Sequence, residues 1–443
     1  MRDLLLLFIV TGTLPFILRH AYIGVYVWSW LSYMNPQRLA FGFALSVPWA
    51  QIVAITLLIS MFFSSERKAL PKDKVVVVWI IYLLWMTFTA FFALQPEAAW
   101  EGFDTVMKIQ FVTFLTMILI TDQRKIDLLI WTIVLSIGFY SFKGGIFTLI
   151  HGGHYRVYGP MSSYIEENNA LGLASLMIVP LAYYLYRTSR GRFLRWGLAL
   201  FTFLTVVSVL GSQSRGAFLA ILAVGTFFWL KSSSKLISGI GIVLLALIGF
   251  SIMSDTWFER METIRNYQED ASAQSRLNSW TYNLNLASDR FVGGGFRSES
   301  PQTFAIYAPN PDDVHAAHSI FFGVLGDHGW VGLILFLTIL MLTWRSLSFV
   351  IRETRNSEDE KLANKGVLAK MLQVSLIAYC SGGAFLGLAY FDLPWHIIAI
   401  SILLKSQLQV PEAGQTSPAG EARERKRGLA SNSRNMRLRS GRL

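Results

Sequence analysis

The sequence predicts an all-α polytopic membrane protein of about 12 transmembrane helices, with a large, partly helical loop on one side. Three observations carry that expectation. Of 443 residues, 53% are hydrophobic and only 15% charged, against roughly 25% charged in an ordinary water-soluble domain. Apolar stretches approaching the ~20 residues needed to cross a bilayer recur along the whole chain. The Lys and Arg residues between them fall on alternate connections, as the positive-inside rule requires. The 32 Phe and 14 Trp suit packing in lipid and aromatic belts at its interfaces. The single cysteine, Cys380, excludes an intramolecular disulfide and a thiolate metal cluster.

Residues 1–74 carry the stretches Leu4–Leu18, Tyr22–Met34 and Leu39–Phe63. No small-residue cleavage site follows the first of them. With an N-terminus on the side of the basic loops, the number of crossings before residue 64 would be even. Residues 75–253 form the core of the membrane region, with stretches at Val75–Leu94, Thr105–Ile120, Ile126–Ile150, Ala170–Tyr186, Trp196–Leu210, Ala217–Leu230 and Leu236–Met253. Residues 254–317 are the large loop. Residues 318–404 add Ser319–Trp344, Gly366–Leu388 and Leu393–Leu404. Residues 405–443 form a basic, Ser/Gly/Arg-rich tail without periodicity, expected to be disordered and suited to contact with anionic lipid.

The connections at residues 67–74, 124–125, 187–195, 231–235 and 345–365, together with the tail, hold 26 Lys and Arg; the short opposite loops hold two. That asymmetry puts the basic loops and the tail in the cytoplasm, and it puts residues 95–103, 151–168, 211–215 and 254–317 outside. Within the large loop Leu277, Trp280, Leu284 and Ala287 recur at helical spacing before Gly293, Gly294 and Gly295 break the pattern. The expected element is an amphipathic helix over the outer mouth of the bundle, with Arg276 at its start.

The polar residues of chemical interest gather at that mouth. The large loop has five arginines (Arg260, Arg265, Arg276, Arg290, Arg297), no lysine and nine acids, so it is not a basic patch and does not point to nucleic acid. Arginine without lysine suits bidentate gripping of phosphate; exposed arginines in local ion pairs are the other reading. Arg215 lies in Gly211-Ser212-Gln213-Ser214-Arg215-Gly216, between two apolar stretches with almost no loop. It is either an arginine snorkelling to the interface or an anion ligand, beside small residues whose backbone N–H groups can approach an anion. His315, His318 and His328 stand close in sequence, but no third ligand completes a zinc site, so no metal is expected. A neutral imidazole there is either a satisfied interfacial histidine or a general base near pH 7. Lys143, Arg156 and Asp327 are further polar residues near the same rim. Walker motifs, nucleotide-binding glycine loops and acyl-hydrolase elbows are absent. No cofactor is therefore expected, and the substrate arrives in the membrane already energised.

The combination resembles the O-antigen ligase superfamily, which also contains O-antigen polymerases and bacterial O-linked oligosaccharyltransferases. The resemblance rests on Ser212-Gln213-Ser214-Arg215-Gly216-Ala217; on Ser275-Arg276-Leu277 with Trp280, then Gly293-Gly294-Gly295-Phe296; and on His318-Ser319 followed by Asp327, Gly329 and Gly332. Arg156, Gly159-Pro160 and Asn168-Asn169 also look like the family's preceding loop. Where this chain has Ser319 and Asp327, the family more often has Asn and Glu. The match spans about residues 150–390, and the N-terminal part is similar to ligase-like proteins found near exosortase-type export systems.

The resemblance implies a GT-C-like helical fold and a metal-independent, inverting glycosyltransferase of the bacterial inner membrane, with its active site facing the periplasm. The donor would be a glycan on undecaprenyl pyrophosphate and the acceptor a sugar hydroxyl of lipid A–core, in lipopolysaccharide biosynthesis. Carried over by motif, Arg215 and Arg276 would bind the pyrophosphate and His318 would activate the acceptor, with Arg156, His315, Asp327 and Lys143 in support. A polymerase or a protein O-oligosaccharyltransferase shares the same donor. A lipid-linked glycan transporter is the alternative from another class; it would favour inverted repeats and helices broken at mid-membrane.

Overall fold

The computed structural model describes residues 1–63, 69–231, 234–262, 268 and 270–409. Arg67, Lys68, Arg265 and the basic tail from residue 410 lie outside the described residues. Among those described, the chain is helical throughout and has no strand. The helices are α1 (Arg2–Arg19), α2 (Ala21–Met34), α3 (Trp49–Phe63), α4 (Lys74–Phe91), α5 (Pro96–Leu119), α6 (Gln123–Ile150), α7 (Asn168–Thr188), α8 (Arg192–Gly211), α9 (Arg215–Lys231) and α10 (Lys235–Ile252). Three shorter elements follow outside the bundle, α11 (Asp255–Glu262), α12 (Ala271–Asp289) and α13 (Pro301–Tyr307), before α14 (Ile320–Glu353), α15 (Glu360–Gly383) and α16 (Asp392–Gln409). Seven of the described helices, α4 to α8, α10 and α14, are long and apolar enough to cross a membrane; α3 and α9 are shorter apolar helices.

The first 63 residues form three helices that alternate in direction, where an even number of crossings was expected. Asn35 closes α2 in the left-handed conformation (φ 47°) and Pro36 follows it, so the helix cannot continue. The Asp3 carboxylate accepts from the N–H groups of Gly42 and Ala44 at 3.0 and 3.1 Å. The Ser60 hydroxyl donates to the Leu18 carbonyl at 3.1 Å. These contacts make α1 and α3 parallel, with α2 returning between them. Residue 3 therefore lies at the end of the bundle that carries residues 151–167 and 254–317, here termed the loop end.

Burial orders the rest. Every residue of α16 from Asp392 to Leu404 is buried, as expected of a helix apolar all round, and α5, α14 and α15 pack against it. α7 is the second interior helix, enclosed by α6, α8, α9 and α15. At the opposite, basic end Lys405 of α16 reaches Asp73, the N-cap of α4, at 2.6 Å. α14 is broken at Gly329 (φ 65°, ψ −171°), a conformation essentially confined to glycine. The break opens α14's backbone to the loop: Gly294 N–H donates to the Gly326 carbonyl at 2.8 Å and Gly295 N–H to the Asp327 carbonyl at 2.9 Å. The glycine run that stops the helical pattern in the sequence is thus the strap that fixes the large loop to α14.

A Cβ at position 329 would run into the Phe291 carbonyl as well as forcing φ. Gly329→Ala should therefore cost at least about 1–3 kcal/mol, read as a lowered melting temperature in detergent. Gly12→Ala, in α1 with nothing within 4 Å of the added carbon, should melt at or slightly above the parent temperature. Equal melting of the two variants would refute the account of the kink.

Candidate functional site at the loop end of the bundle

The turn between α8 and α9 is built from its own hydroxyls. Ser212 donates to the Val209 carbonyl at 2.6 Å, and the Ser214 hydroxyl accepts from Ala217 N–H at 3.1 Å, capping α9. Arg215 is consequently held in the first turn of α9. Gln213 between the two serines is left-handed (φ 51°), a conformation that costs a non-glycine residue about 1–3 kcal/mol unless its surroundings impose it. They do: its amide donates to the Gly153 carbonyl at 2.9 Å, and its carbonyl accepts from Arg260 Nε at 2.9 Å. Asn168, at the start of α7, donates to the Ser212 carbonyl at 2.7 Å. The loop at residues 151–167, the α8–α9 turn and α11 are thereby tied together.

The second part of the site hangs on α12. Asp270 caps this helix by accepting from Ala273 N–H at 2.8 Å. Arg276 therefore sits in the second turn rather than at the helix start. The expected apolar stripe is buried only in part: Ala287 is buried and Trp280 half-buried, but Leu277 and Leu284 are each 40% exposed while Asn278, Ser279, Tyr282 and Asn283 are buried. α12 is oriented by hydrogen bonds rather than by apolar burial alone. Asn278 donates to the carbonyls of Asn310 (2.8 Å) and Asp313 (3.1 Å), Ser279 to that of His315 (3.0 Å), and Trp280 to that of Ala317 (2.8 Å). The Trp280 ring also stacks on Phe322 of α14 at 5.0 Å. This row of bonds delivers His318, whose backbone is again left-handed (φ 43°), immediately ahead of Ser319, the N-cap of α14.

These parts converge. Arg215 grips Asp270 with both terminal nitrogens, at 2.8 and 2.9 Å, with side chains only 12% and 18% exposed. Hydrogen bonding from Arg215 holds the Asp270 carboxyl below its usual range. Burial, followed by repulsion from Arg215, pushes the Arg276 guanidinium down. Burial, then Arg156 and Arg215, does the same to Arg260. Burial lowers the His318 imidazole below its ordinary 6.5, with Glu167 opposing the shift and Arg276 and His315 adding to it. Arg156, Arg215, Arg260, Arg276 and His318 thus share one electrostatic neighbourhood, in which the acids interacting with them are Asp270 and Glu167. Among the described residues the cluster gathers four guanidinium groups in one place, a field that favours a bound anion.

The supporting residues divide. Arg156 is exposed within the cluster, and His315 is exposed beside it with Nε2 2.8 Å from Asp313. Lys143 stands instead on an exposed flank of α6, its ammonium 5.2 Å from the Phe139 ring. Asp327 is buried elsewhere, accepting from the Tyr390 hydroxyl at 2.8 Å. His328 is fully buried beneath it, bonded to Thr89 at 2.8 Å. Sequence reasoning missed Asp270 and Glu167. Asp270 was open to discovery as an N-cap aspartate ahead of a helical stretch; Glu167, the residue before α7, carries no local signal of that kind.

Residues 199–337 match the family model described as O-antigen ligase, and residues 1–190 match that of a family of unknown function, DUF5935. A comparison with curated proteins finds no match.

Asp270→Asn keeps a good helix cap but removes the ion pair to Arg215. It should lower the melting temperature at pH 7. Because the folded carboxyl titrates below its ordinary 3.8, its contribution is present above that value and lost as pH falls through the folded pKa. The gap between variant and parent should therefore close below about pH 4; a gap independent of pH would disprove the ion pair's role.

Proposed function

The chain is a member of the O-antigen ligase superfamily, and we propose that within it the protein transfers a glycan from a polyprenyl pyrophosphate to a lipid-anchored sugar hydroxyl at the extracytoplasmic face of the bacterial inner membrane. The observation that carries this reading is the crowding of Arg156, Arg215, Arg260 and Arg276 around two carboxylates, with His318 at its edge.

A glycosyl pyrophosphate brings its own leaving group. As the bond from the anomeric carbon to the diphosphate oxygen breaks, the electron pair and negative charge pass to the diphosphate. Fixed guanidinium donors in a partly desolvated site stabilise that charge without reorganising, and loss of one such donor typically costs ~2.7–4 kcal/mol of barrier. His318, neutral at pH 7 because burial lowers its pKa, accepts the acceptor's hydroxyl proton as the oxygen attacks the anomeric carbon. Such general-base assistance is worth ~10²–10⁴-fold. Attack opposite the departing diphosphate inverts the anomeric configuration. The basic loops and the tail then face the cytoplasm.

Arg276→Ala and His318→Ala should each reduce transfer by at least about 100-fold while melting close to the parent; Arg215→Ala should lose transfer to the same degree but also melt lower, because it breaks the ion pair to Asp270. The assay offers purified protein a polyprenyl pyrophosphate-linked glycan with lipid A–core, a second donor or a peptide; the substrate consumed separates ligase from polymerase and protein transferase. Near-parental transfer by a folded His318→Ala variant would remove the base. The rate should be full at pH 7 and fall as His318 protonates, with the acid limb lying below pH 6.5 because the folded pKa is lowered. Transfer should persist in EDTA, as a metal-independent mechanism requires.

A further inference from the structure

A cavity of about 800 Å³ opens between α3 and α5, backed by α2. None of Arg156, Arg215, Arg260, Arg276 or His318 lines it. Its walls change character along their length. At the loop end stand Ser32, Asn35, Asp327 and Asp392; deeper lie Ile55, Leu58, Ile109 and Val112. Gly102 and Val112, both on the α5 wall, are about 15 Å apart along the helix axis. Ile55 is 57% exposed and Phe111 47%, so the apolar half opens sideways to the membrane. A polar head end above an apolar flank is the division found in a lipid.

The charges select the kind of head. Asp327 and Asp392 are 8% and 1% exposed. The cations on the wall, Arg297 and Lys108, are paired with Glu101 and Asp104. A pyrophosphate entering here would meet buried carboxyl groups and, among the described residues, no guanidinium left over from an ion pair with a neighbouring acid, a poor lining for a diphosphate. Hydroxyls suit the lining: Asp392 already accepts from the Ser32 hydroxyl at 3.0 Å and Asp327 from that of Tyr390 at 2.8 Å, and a carboxyl group in either protonation state keeps further capacity to bond a hydroxyl. One side chain links this end to the segment before His318. The Glu299 carboxylate interacts with Asp327 and accepts the backbone N–H of Ala317, the residue before His318.

We infer that this cavity binds a lipid-anchored headgroup that is uncharged and rich in hydroxyls, its hydrocarbon chain lying between α3 and α5. Identifying that molecule as the glycan acceptor rests on the function proposed above; the binding itself does not.

The test uses the full chain in lipid nanodiscs and a dodecyl maltoside analogue with a diazirine in its alkyl chain. After irradiation, modified peptides are mapped by mass spectrometry. Labelling should fall on α3 and α5 around Ile55 and Phe111, and excess plain dodecyl maltoside, but not farnesyl pyrophosphate, should displace it. Ala54→Trp fills the cavity and should weaken labelling by about tenfold or more, without changing the melting-temperature rise produced by inorganic pyrophosphate. Should that variant not fold, Val112→Phe serves the same purpose. Undiminished labelling in a folded variant overturns the proposal. Displacement by farnesyl pyrophosphate also overturns it, and assigns the cavity to the donor's chain. Labelling requires no transfer, so its failure and that of the ligase assay are told apart.

Discussion

The Arg215–Asp270 ion pair is the constraint on which the rest of the loop end depends. Asp270 performs two tasks with one carboxylate: it caps α12 through Ala273 N–H, and it receives both terminal nitrogens of Arg215 from α9. The pair therefore fixes where α12 begins relative to the bundle, and α12 in turn fixes Arg276 and, through the Asn278, Ser279 and Trp280 bonds, the segment leading to His318. Removing such a partner from a partly buried arginine takes away a bidentate, charge-assisted contact. That penalty is more severe here because Arg260 and Arg276 already repel Arg215.

The same logic explains why the two motif turns contain strained residues. Gln213 and His318 both occupy left-handed backbone at φ 51° and 43° without being glycine. Each adjoins a serine that caps the following helix, Ser214 for α9 and Ser319 for α14. The cap decides where the helix starts, and the strained residue turns the chain just before it. Gln213 gains from this a side chain that holds Gly153, and His318 a place at the mouth rather than along the helix. The strain is local and is held by hydrogen bonds from neighbouring segments, as at many functional sites.

What could be read in the sequence followed from one-dimensional signals. Hydropathy revealed the apolar helices, and the turn residues Ser212–Gly216 and Gly293–Gly295 marked places where the backbone does something unusual. Pairings that join distant parts of the chain could not be read. Nothing near Asp270 announces Arg215, 55 positions earlier. The face of α12 was legible only in part: Ala287 and Trp280 pack inward, but Leu277 and Leu284 stay exposed while Asn278 and Ser279 are buried by bonding to backbone carbonyls, a kind of burial that apolar periodicity does not report. The stretch 393–404, short by hydropathy, is the most completely buried helix of all. It packs against protein on every side, so it need not match the width of the hydrocarbon layer.

On the proposed function the protein joins two amphiphiles, and it must tell their headgroups apart. Both substrates enter from the membrane, and both present a hydrocarbon chain that cannot by itself tell one site from another. Discrimination must come from the headgroups, and it is sharpened by repulsion of the wrong partner as much as by attraction of the right one. At the loop end, guanidinium groups dominate the side formed by residues 151–167, α9, α11 and α12, while Asp327 and Asp392 occupy the side formed by α2, α3 and α5. On the proposed function a diphosphate is drawn to the first, and a polyol finds hydrogen-bonding partners in the second. His318 belongs to the first, and its chain neighbour Ala317 donates its N–H to Glu299, whose carboxyl group interacts with Asp327 of the second. On the same proposed function, a base in that position would meet the acceptor hydroxyl only where the two substrates come together, which would keep water from taking the glycan before the acceptor arrives.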